Sequence, residues 1–345
     1  MKEQYEVTIG IPVYQSVDYI QDTMNSALNQ SFSDIEYLIV DDCGHDGTMD
    51  VISQLQTNHP RGKDIRILEN EKNKGVGYSR NRIIDEARGR FLYFMDSDDM
   101  IEPNTIQLLY DAIIQHHVQV VYGSYEIIDS IGNSPNEIYQ KDALVLRGED
   151  ELAMYAFKNN RIFHVSACNH LINLEFLRQS NVRFIDASYW EDMVYTTELV
   201  TKIDSAVLLP DITYHYLRHD GSLSHYQKRE VYEKKEIMEN VSVLNRLKQK
   251  CMKMKGKKYL PFICYNIGMV SFYMSCHVFR NANLIKPMIS IKEIRNMMRC
   301  PIPIKEILMF KYKKIHNLFF ALLGIMPILI FRPSIWAISK LKNII

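Results

Sequence analysis

Three carboxylates in four positions, Asp96-Ser97-Asp98-Asp99, follow the apolar run Phe91-Leu92-Tyr93-Phe94-Met95. Acids this close raise one another's proton affinity unless a cation or hydrogen-bond donors offset their charge. A hard divalent ion with oxygen ligands does so, and Mn²⁺ or Mg²⁺ keeps positions open for a diphosphate. The alternative is a helix cap, because Pro103 stands where a helix would start. A second acidic pair, Asp41-Asp42, ends the run Tyr37-Leu38-Ile39-Val40. Carboxylates there can accept from a nucleobase N–H or ribose hydroxyls, or can hold the turn-rich stretch Gly44-His45-Asp46-Gly47-Thr48.

Three further stretches carry reactive side chains. Asn73-Lys74-Gly75-Val76-Gly77-Tyr78-Ser79-Arg80-Asn81 is a glycine-bearing loop entering a helix, where free N–H groups and Arg80 could meet an anion. Arg80 as a surface charge is the competing reading. Trp190-Glu191-Asp192 offers a carboxylate far along the chain, suited to a general base or to an acidic helix start. In Tyr214 to Ser222, Arg218, His219 and Ser222 with the Gly221 turn could close over a diphosphate, against a purely structural histidine.

The elements that must position these residues follow from periodicity. Val7–Val13, Tyr37–Val40, Ile65–Leu68, Phe91–Met95 and Val118–Tyr122 read as buried strands. Between them, residues 17–29, a stretch from about Asp46, and Val76–Ala87 place apolar side chains at helical spacing, and a helix is expected after Pro103. Alternating strands and helices with short connections predict an α/β, doubly wound, mostly parallel sheet. Ligands of such sheets bind beyond the carboxyl ends of the strands. Two of those ends carry the aspartate clusters.

These residues resemble, in order, the motifs of the family-2 glycosyltransferases. The matching elements are Ile11-Pro12-Val13-Tyr14, Val40-Asp41-Asp42, Asn73-Lys74-Gly75 with Ser79-Arg80-Asn81, Asp96-Ser97-Asp98-Asp99, Glu191-Asp192, and Tyr216 through Ser224. Ordered motifs are more specific than any one alone. The resemblance implies a GT-A fold and inverting transfer of a sugar from a nucleotide diphosphate donor to an acceptor hydroxyl. It implies that Pro12, Tyr14 and Asp42 line the nucleobase pocket and that Arg80 contacts the donor. Asp96 and Asp98 match the family's DxD pair, with Asp98 and Asp99 placed for metal (Mn²⁺ or Mg²⁺) and ribose. Asp192 matches the catalytic base, and His219 and Ser222 would cover the diphosphate. Cys43-Gly44-His45 departs from the usual Gly-Ser-Thr. The QxxRW motif of processive synthases is absent, which points to addition of a single sugar. The resemblance favours a uridine diphosphate donor and a cell-surface polysaccharide product, and does not extend over residues 228–345.

Two other functions compete. A non-catalytic sugar-nucleotide-binding scaffold would not need both Asp96-Ser97-Asp98-Asp99 and Asp192. A nucleotidyltransferase would show a glycine- and arginine-rich phosphate loop near the N-terminus, which residues 10–20 lack.

Composition divides the chain. Residues 1–227 hold 18 Lys and Arg against 35 Asp and Glu, and residues 228–345 hold 23 against 6, so a formal net charge of zero conceals two opposite halves. The expected organisation is a catalytic domain over 1–227, with a nucleotide-sugar half to about 125 and an acceptor half to about 227, then a basic helical domain over 228–345. Leu318–Phe331 is an uncharged stretch flanked by Lys311, Lys313, Lys314, Lys340 and Lys342. It is shorter than the roughly 20 residues that span a bilayer, so the expectation is an interfacial segment on an anionic membrane, with a core helix as the alternative. A lipid-linked glycan acceptor would suit such a segment. No zinc-finger, RNP-type or helix-turn-helix pattern accompanies the basic charge, so nucleic acid is not expected. The polar start Met1-Lys2-Glu3-Gln4-Tyr5-Glu6 lacks a secretory signal, and six cysteines without CxxC spacing fit reduced thiols. The expected location is cytoplasmic, peripheral on the inner face of the cell membrane.

Overall fold

Strand β1 (Tyr5–Val13) is buried along almost its whole length and β2 (Ile35–Asp41) along all of it. Continuous burial marks strands covered on both faces. The structure, a computed structural model, describes residues 4–129, 137–158, 166–187, 190–219 and 231–341. The chain divides into two compact units, Met1–Ala153 with Arg161–His225, and Met154–Asn160 with Tyr226–Ile345.

In the first unit α1 (Ile20–Leu28) joins β1 to β2, and α2 (Thr48–Asn58) leads to β3 (Ile65–Glu69). Then come α3 (Val76–Glu86), β4 (Gly89–Phe94), β5 (Met100–Ile101), α4 (Thr105–His116) and β6 (Val120–Asp129). The expected fifth strand begins two residues later than its apolar run and extends to Asp129. The following region, irregular by sequence, contains β7 (Ile138–Tyr139), β8 (Leu144–Arg147), α5 (Glu151–Lys158), β9 (His170–Asn173), α6 (Leu174–Ser180), α7 (Glu191–Leu199) and β10 (Ser205–Arg218).

The sheet order is β3-β2-β1-β4-β9-β6-β10-β5, with β7 on β6 and β8 on β10. Ladders β1–β2, β2–β3, β1–β4 and β6–β10 are parallel and hold most of the paired residues. Antiparallel β9 separates β4 from β6, so β1, β2, β3, β4, β6 and β10 all point one way. Chain order runs outward from β1 to β3 and returns to β4 on the other side of β1. That reversal leaves a crevice at the strands' carboxyl ends.

Helix α3 covers β1 and β2. A Cβ at Gly10 of β1 would lie 2.3 Å from Ile83 Cγ2 of α3, so only glycine admits this approach. Its buried positions Ser79, Arg80, Ile83 and Ile84 form one helical face. Arg80 is thereby carried inward on an apolar face.

The second unit is helical apart from a short pair of strands, β11 (Tyr232–Glu233) and β12 (Ile285–Lys286). Its helices are α8 (Lys234–Lys253), α9 (Leu260–Arg280), α10 (Ile291–Met297), α11 (Ile304–Ile307), α12 (Lys314–Ile325) and α13 (Ile328–Leu341). Helix α9 is central and packs against α8, α10, α12 and α13. By length and composition it could cross a membrane, and 56% of its apolar window is buried within the protein. Ser290 and Glu293 form a reciprocal capping box at the start of α10. The apolar stretch 318–331 is broken at Met326-Pro327 into the ends of α12 and α13. One side of it, with Phe320, Ala321, Leu323 and Phe331, is buried; Phe319, Leu322, Ile325 and Leu329 are exposed.

Candidate active site

The strand ends gather the acidic residues. Asp96 follows β4, and Glu191 and Asp192 begin α7. Arg80 joins the two segments: one terminal nitrogen lies 2.7 Å from Asp96 Oδ1 and the other 2.6 Å from Glu191 Oε1. Arg80 is 5% exposed, and its guanidinium carbon lies over the Phe184 ring, 5.4 Å from the ring centre. Both carboxylates hold it well above the usual arginine range against the cost of burial. Each of its terminal nitrogens is thus engaged by a protein acid.

Burial, then the Glu191 charge, pushes the Asp192 carboxyl up to about 8, although Arg80 opposes this. The residue before this pair, Trp190, sits in the left-handed region at φ 62°. A bulky residue there is an uncommon conformation of the kind found at functional sites.

The three acids after β4 have separate surroundings. Asp99 is 1% exposed; its Oδ2 accepts from the Tyr214 hydroxyl at 2.6 Å and its Oδ1 from the Leu217 N–H at 2.8 Å. Burial and the neighbouring Asp98 and Asp96 charges raise its carboxyl well above the usual range. Asp99 was expected beside the metal. In the structure its two oxygens bond to Tyr214 and Leu217 of β10. Tyr214 also accepts from the Asp96 N–H at 3.2 Å, which ties the strand to the acidic turn. Asp98 remains partly open, and its Oδ2 lies 3.0 Å from His219 Nε2. Burial and Asp96 raise its carboxyl, while His219 lowers it. Ser97 is held by Ser16 Oγ, ahead of α1, at 2.6 Å and by the Thr23 hydroxyl of α1, which donates to its carbonyl at 3.1 Å. His219 also packs on Tyr19, with ring centroids 4.2 Å apart.

At the end of β1, Pro12 is buried and pairs with Val40, whereas Tyr14 is 45% exposed. Asp42 is 3% exposed and accepts from Asn70 Nδ2 at 2.7 Å, the Lys74 N–H at 2.9 Å and the Gly75 N–H at 2.7 Å. Those contacts fix the loop before α3, so the carboxylate expected at a base edge is also a loop anchor. Its neighbour Asp41 accepts a longer 3.4 Å bond from the Gly44 N–H. Ser222 lies outside the described residues.

Arg80 thus ties Asp96 to Glu191, Asp98 pairs separately with His219, and Asp192, next to Glu191, lies near enough to Arg80 and Asp96 to feel their charges. Glu191 as the partner of Arg80, Tyr214 as the tether of the acidic turn, and Tyr19 beneath His219 were not assigned roles from sequence. Adjacency to Asp192 marked Glu191; nothing in the spacing marked the two tyrosines. Among the described residues, no three His, Cys, Asp or Glu side chains gather in a metal-holding group. Asp98, with an oxygen not bonded to His219, is the acid best placed to share a divalent ion with substrate phosphates, which is how Mg²⁺ is commonly held.

The profile of the family "Glycosyl transferase family 2" matches residues 8–179, which run from within β1 through β9 and include the acidic turn. The chain belongs to glycosyltransferase family 2. Among relatives of this family-2 chain, the putative teichuronic acid biosynthesis glycosyltransferase TuaG of Bacillus subtilis is 30% identical over 145 residues, 40% of this chain and 56% of that protein. An Escherichia coli protein, UDP-Glc:alpha-D-GlcNAc-diphosphoundecaprenol beta-1,3-glucosyltransferase WfgD, is 30% identical over 128 residues, 37% of this chain and 49% of its own length. The chain thus spans about half the length of these two relatives. The crystal structure of Staphylococcus aureus TarS 1–349 in complex with UDP-GlcNAc superposes with a TM-score of 0.64 at 17% identity, covering 92% of this chain and 90% of that one. This likeness establishes the GT-A fold with a helical C-terminal region.

Proposed function

We propose that this family-2 protein is an inverting glycosyltransferase. It moves a single sugar from a nucleotide diphosphate donor, a UDP-sugar, to an acceptor hydroxyl during cell-surface polysaccharide synthesis. The observation that carries the reading is the Arg80 bridge, which holds the Asp96–Asp98 turn and the Glu191–Asp192 pair in one network. Pro12, Tyr14 and the Asp41–Asp42 strand end supply a wall for the base, and His219 with Ser222 the cover for the diphosphate.

Asp98 would hold Mn²⁺ or Mg²⁺ together with the diphosphate oxygens. Such an ion, when bound, neutralises charge that builds on the leaving group. Asp192 takes the proton of the acceptor hydroxyl, the oxygen bonds to the anomeric carbon from the face opposite the diphosphate, and the bond to the diphosphate breaks. A carboxyl raised by burial is a stronger base than a solvated one, as this step requires. The Glu191 charge beside it favours proton uptake at Asp192, against the opposing charge of Arg80. The acceptor is a glycan or a lipid-linked glycan, the latter favoured by the diphosphoundecaprenol in the name of one relative. The site of action is the cytoplasmic side of the cell membrane.

The test is donor hydrolysis across a panel of nucleotide sugars, with and without Mn²⁺. A metal-stimulated turnover confined to one or two UDP-sugars, abolished by Asp98→Ala, is expected. Tight nucleotide-sugar binding with no hydrolysis or transfer under any metal would replace the enzyme with a binding scaffold.

A further inference from the structure

The outer face of α12 and α13 is apolar and has no cover within its unit. Ile315 is 79% exposed, Leu322 46%, Ile325 60% and Leu329 90%. In α12, Ile315, Phe319 and Leu322 fall at positions i, i+4 and i+7, one stripe of a helix. The opposite side of α12, with Asn317, Phe320, Ala321, Leu323 and Gly324, is buried in the unit, so the stripe is not a core face that lost its neighbours through poor folding. Contiguous exposed apolar surface of this kind marks an interaction site.

Charge defines the partner. Lys311, Lys314, Arg332 and Lys340 are exposed beside the stripe. No acid occurs between Lys311 and Ile345, and residues 228–345 as a whole carry 23 Lys and Arg against 6 Asp and Glu. A second copy of the same face would set like charges against one another, which disfavours a self-dimer. An anionic bilayer offers both halves of the complement, phosphate outside and hydrocarbon beneath. Trp336 is 56% exposed, and Lys340 Nζ lies 4.6 Å from its ring centre. Tryptophan with an adjacent lysine is the pairing found at the headgroup level. Helix α13 has 14 residues, about 21 Å of rise, against the roughly 30 Å of a hydrocarbon core. Insertion is therefore shallow and parallel to the surface.

We infer that the exposed α12–α13 face docks this chain on an anionic phospholipid surface, with Ile315, Phe319, Leu322, Ile325 and Leu329 in the acyl boundary and the lysines on headgroups. This docking is independent of the sugar-transfer reading, and its test requires no turnover.

The experiment is sedimentation of the full chain with phosphatidylcholine vesicles containing or lacking phosphatidylglycerol, at low and high salt. Strong binding to the anionic vesicles, weakened but not abolished by salt, is expected. The double variant Ile325→Glu/Leu329→Glu should bind at least about ten-fold more weakly, while keeping the circular dichroism of the parent and its binding of UDP. The paired variant Lys314→Gln/Lys340→Gln should lose the preference for anionic lipid and keep the residual binding seen at high salt. Failure of the parent chain to bind anionic vesicles would overturn the inference, as would unchanged binding by the glutamate variant. A parent dimer that the glutamate variant converts to monomer would show a second copy on the face and overturn it equally.

Discussion

Arg80 Nη1 lies 2.6 Å from Glu191 Oε1, joining residues 111 positions apart, and both side chains are under a tenth exposed. Removing one member of such a pair strands a buried charge. Arg80→Ala is expected to cost about 3–5 kcal/mol of folding stability, read as a lowered midpoint in urea unfolding. Arg80→Lys should recover part of that loss but not the two-armed bridge, because an ammonium lacks the planar fork. Equal stability of Arg80→Ala and the parent would remove Arg80 as the organiser of the site.

Asp192 sets a pH dependence with a definite sign. Its carboxyl is raised from 3.8 to about 8, first by burial and then by Glu191. Below that region it keeps its proton and accepts none, so kcat/KM should rise with pH and level off above about 8. Asp192→Asn should retain UDP binding and lose roughly 10²–10⁴-fold in transfer. Stability moves oppositely. The folded chain holds a proton that the unfolded chain releases, so stability falls as pH rises from 3.8 to about 8. In Asp192→Asn that slope should flatten, which thermal melts across this range would reveal.

Adjacent acids should give opposite phenotypes. Asp98→Ala leaves the β10 anchor intact and should abolish Mn²⁺ stimulation of donor hydrolysis with little change in Tm. Asp99→Ala removes the acceptor for the buried Tyr214 hydroxyl and the Leu217 N–H. It should cost about 2–4 kcal/mol, measured by chemical denaturation. Identical thermal stabilities for the two variants would contradict the separate roles drawn from their surroundings.

Gly10 and Ile83 test the packing beneath the site. A methyl group at position 10 would meet Ile83 Cγ2 at 2.3 Å. Gly10→Ala is expected to destabilise by about 1–3 kcal/mol, and Ile83→Ala, which removes Cγ2, should cost less in the Gly10→Ala chain than in the parent. Additive losses in the double variant would show that the two side chains do not share that space.

The first four long strands and their helices were legible because each has an uninterrupted apolar run or a helical stripe, and burial on both faces leaves little choice of partner. The second half of the sheet was not. β9 is a four-residue segment whose antiparallel insertion between β4 and β6 depends on pairing across distant sequence, and nothing local in His170–Asn173 specifies it. The acidic turn was legible as a cluster, but its division of labour was not. Asp98 and Asp99 differ by one position, and only the arrival of Tyr214 and Leu217 from β10 decides which is enclosed. Arg80 illustrates the same limit: helical spacing places it among Ile83 and Ile84 on an inward face, yet its two acidic partners come from two other segments.

Trp190 enters α7 with a left-handed backbone, and Asp192, the base proposed above, stands two residues beyond. The direction of that carboxylate is then governed mainly by how the main chain is bent, with only two side-chain torsions left to adjust. A longer acid would be poorly accommodated. Asp192→Glu would carry the oxygens about 1.5 Å farther along a line the backbone has already chosen, a displacement large enough to spoil in-line approach. The span between the two substrates is in this sense measured by a peptide bend, and an enzyme with a roomier acceptor would be sought by altering that bend before altering the acid.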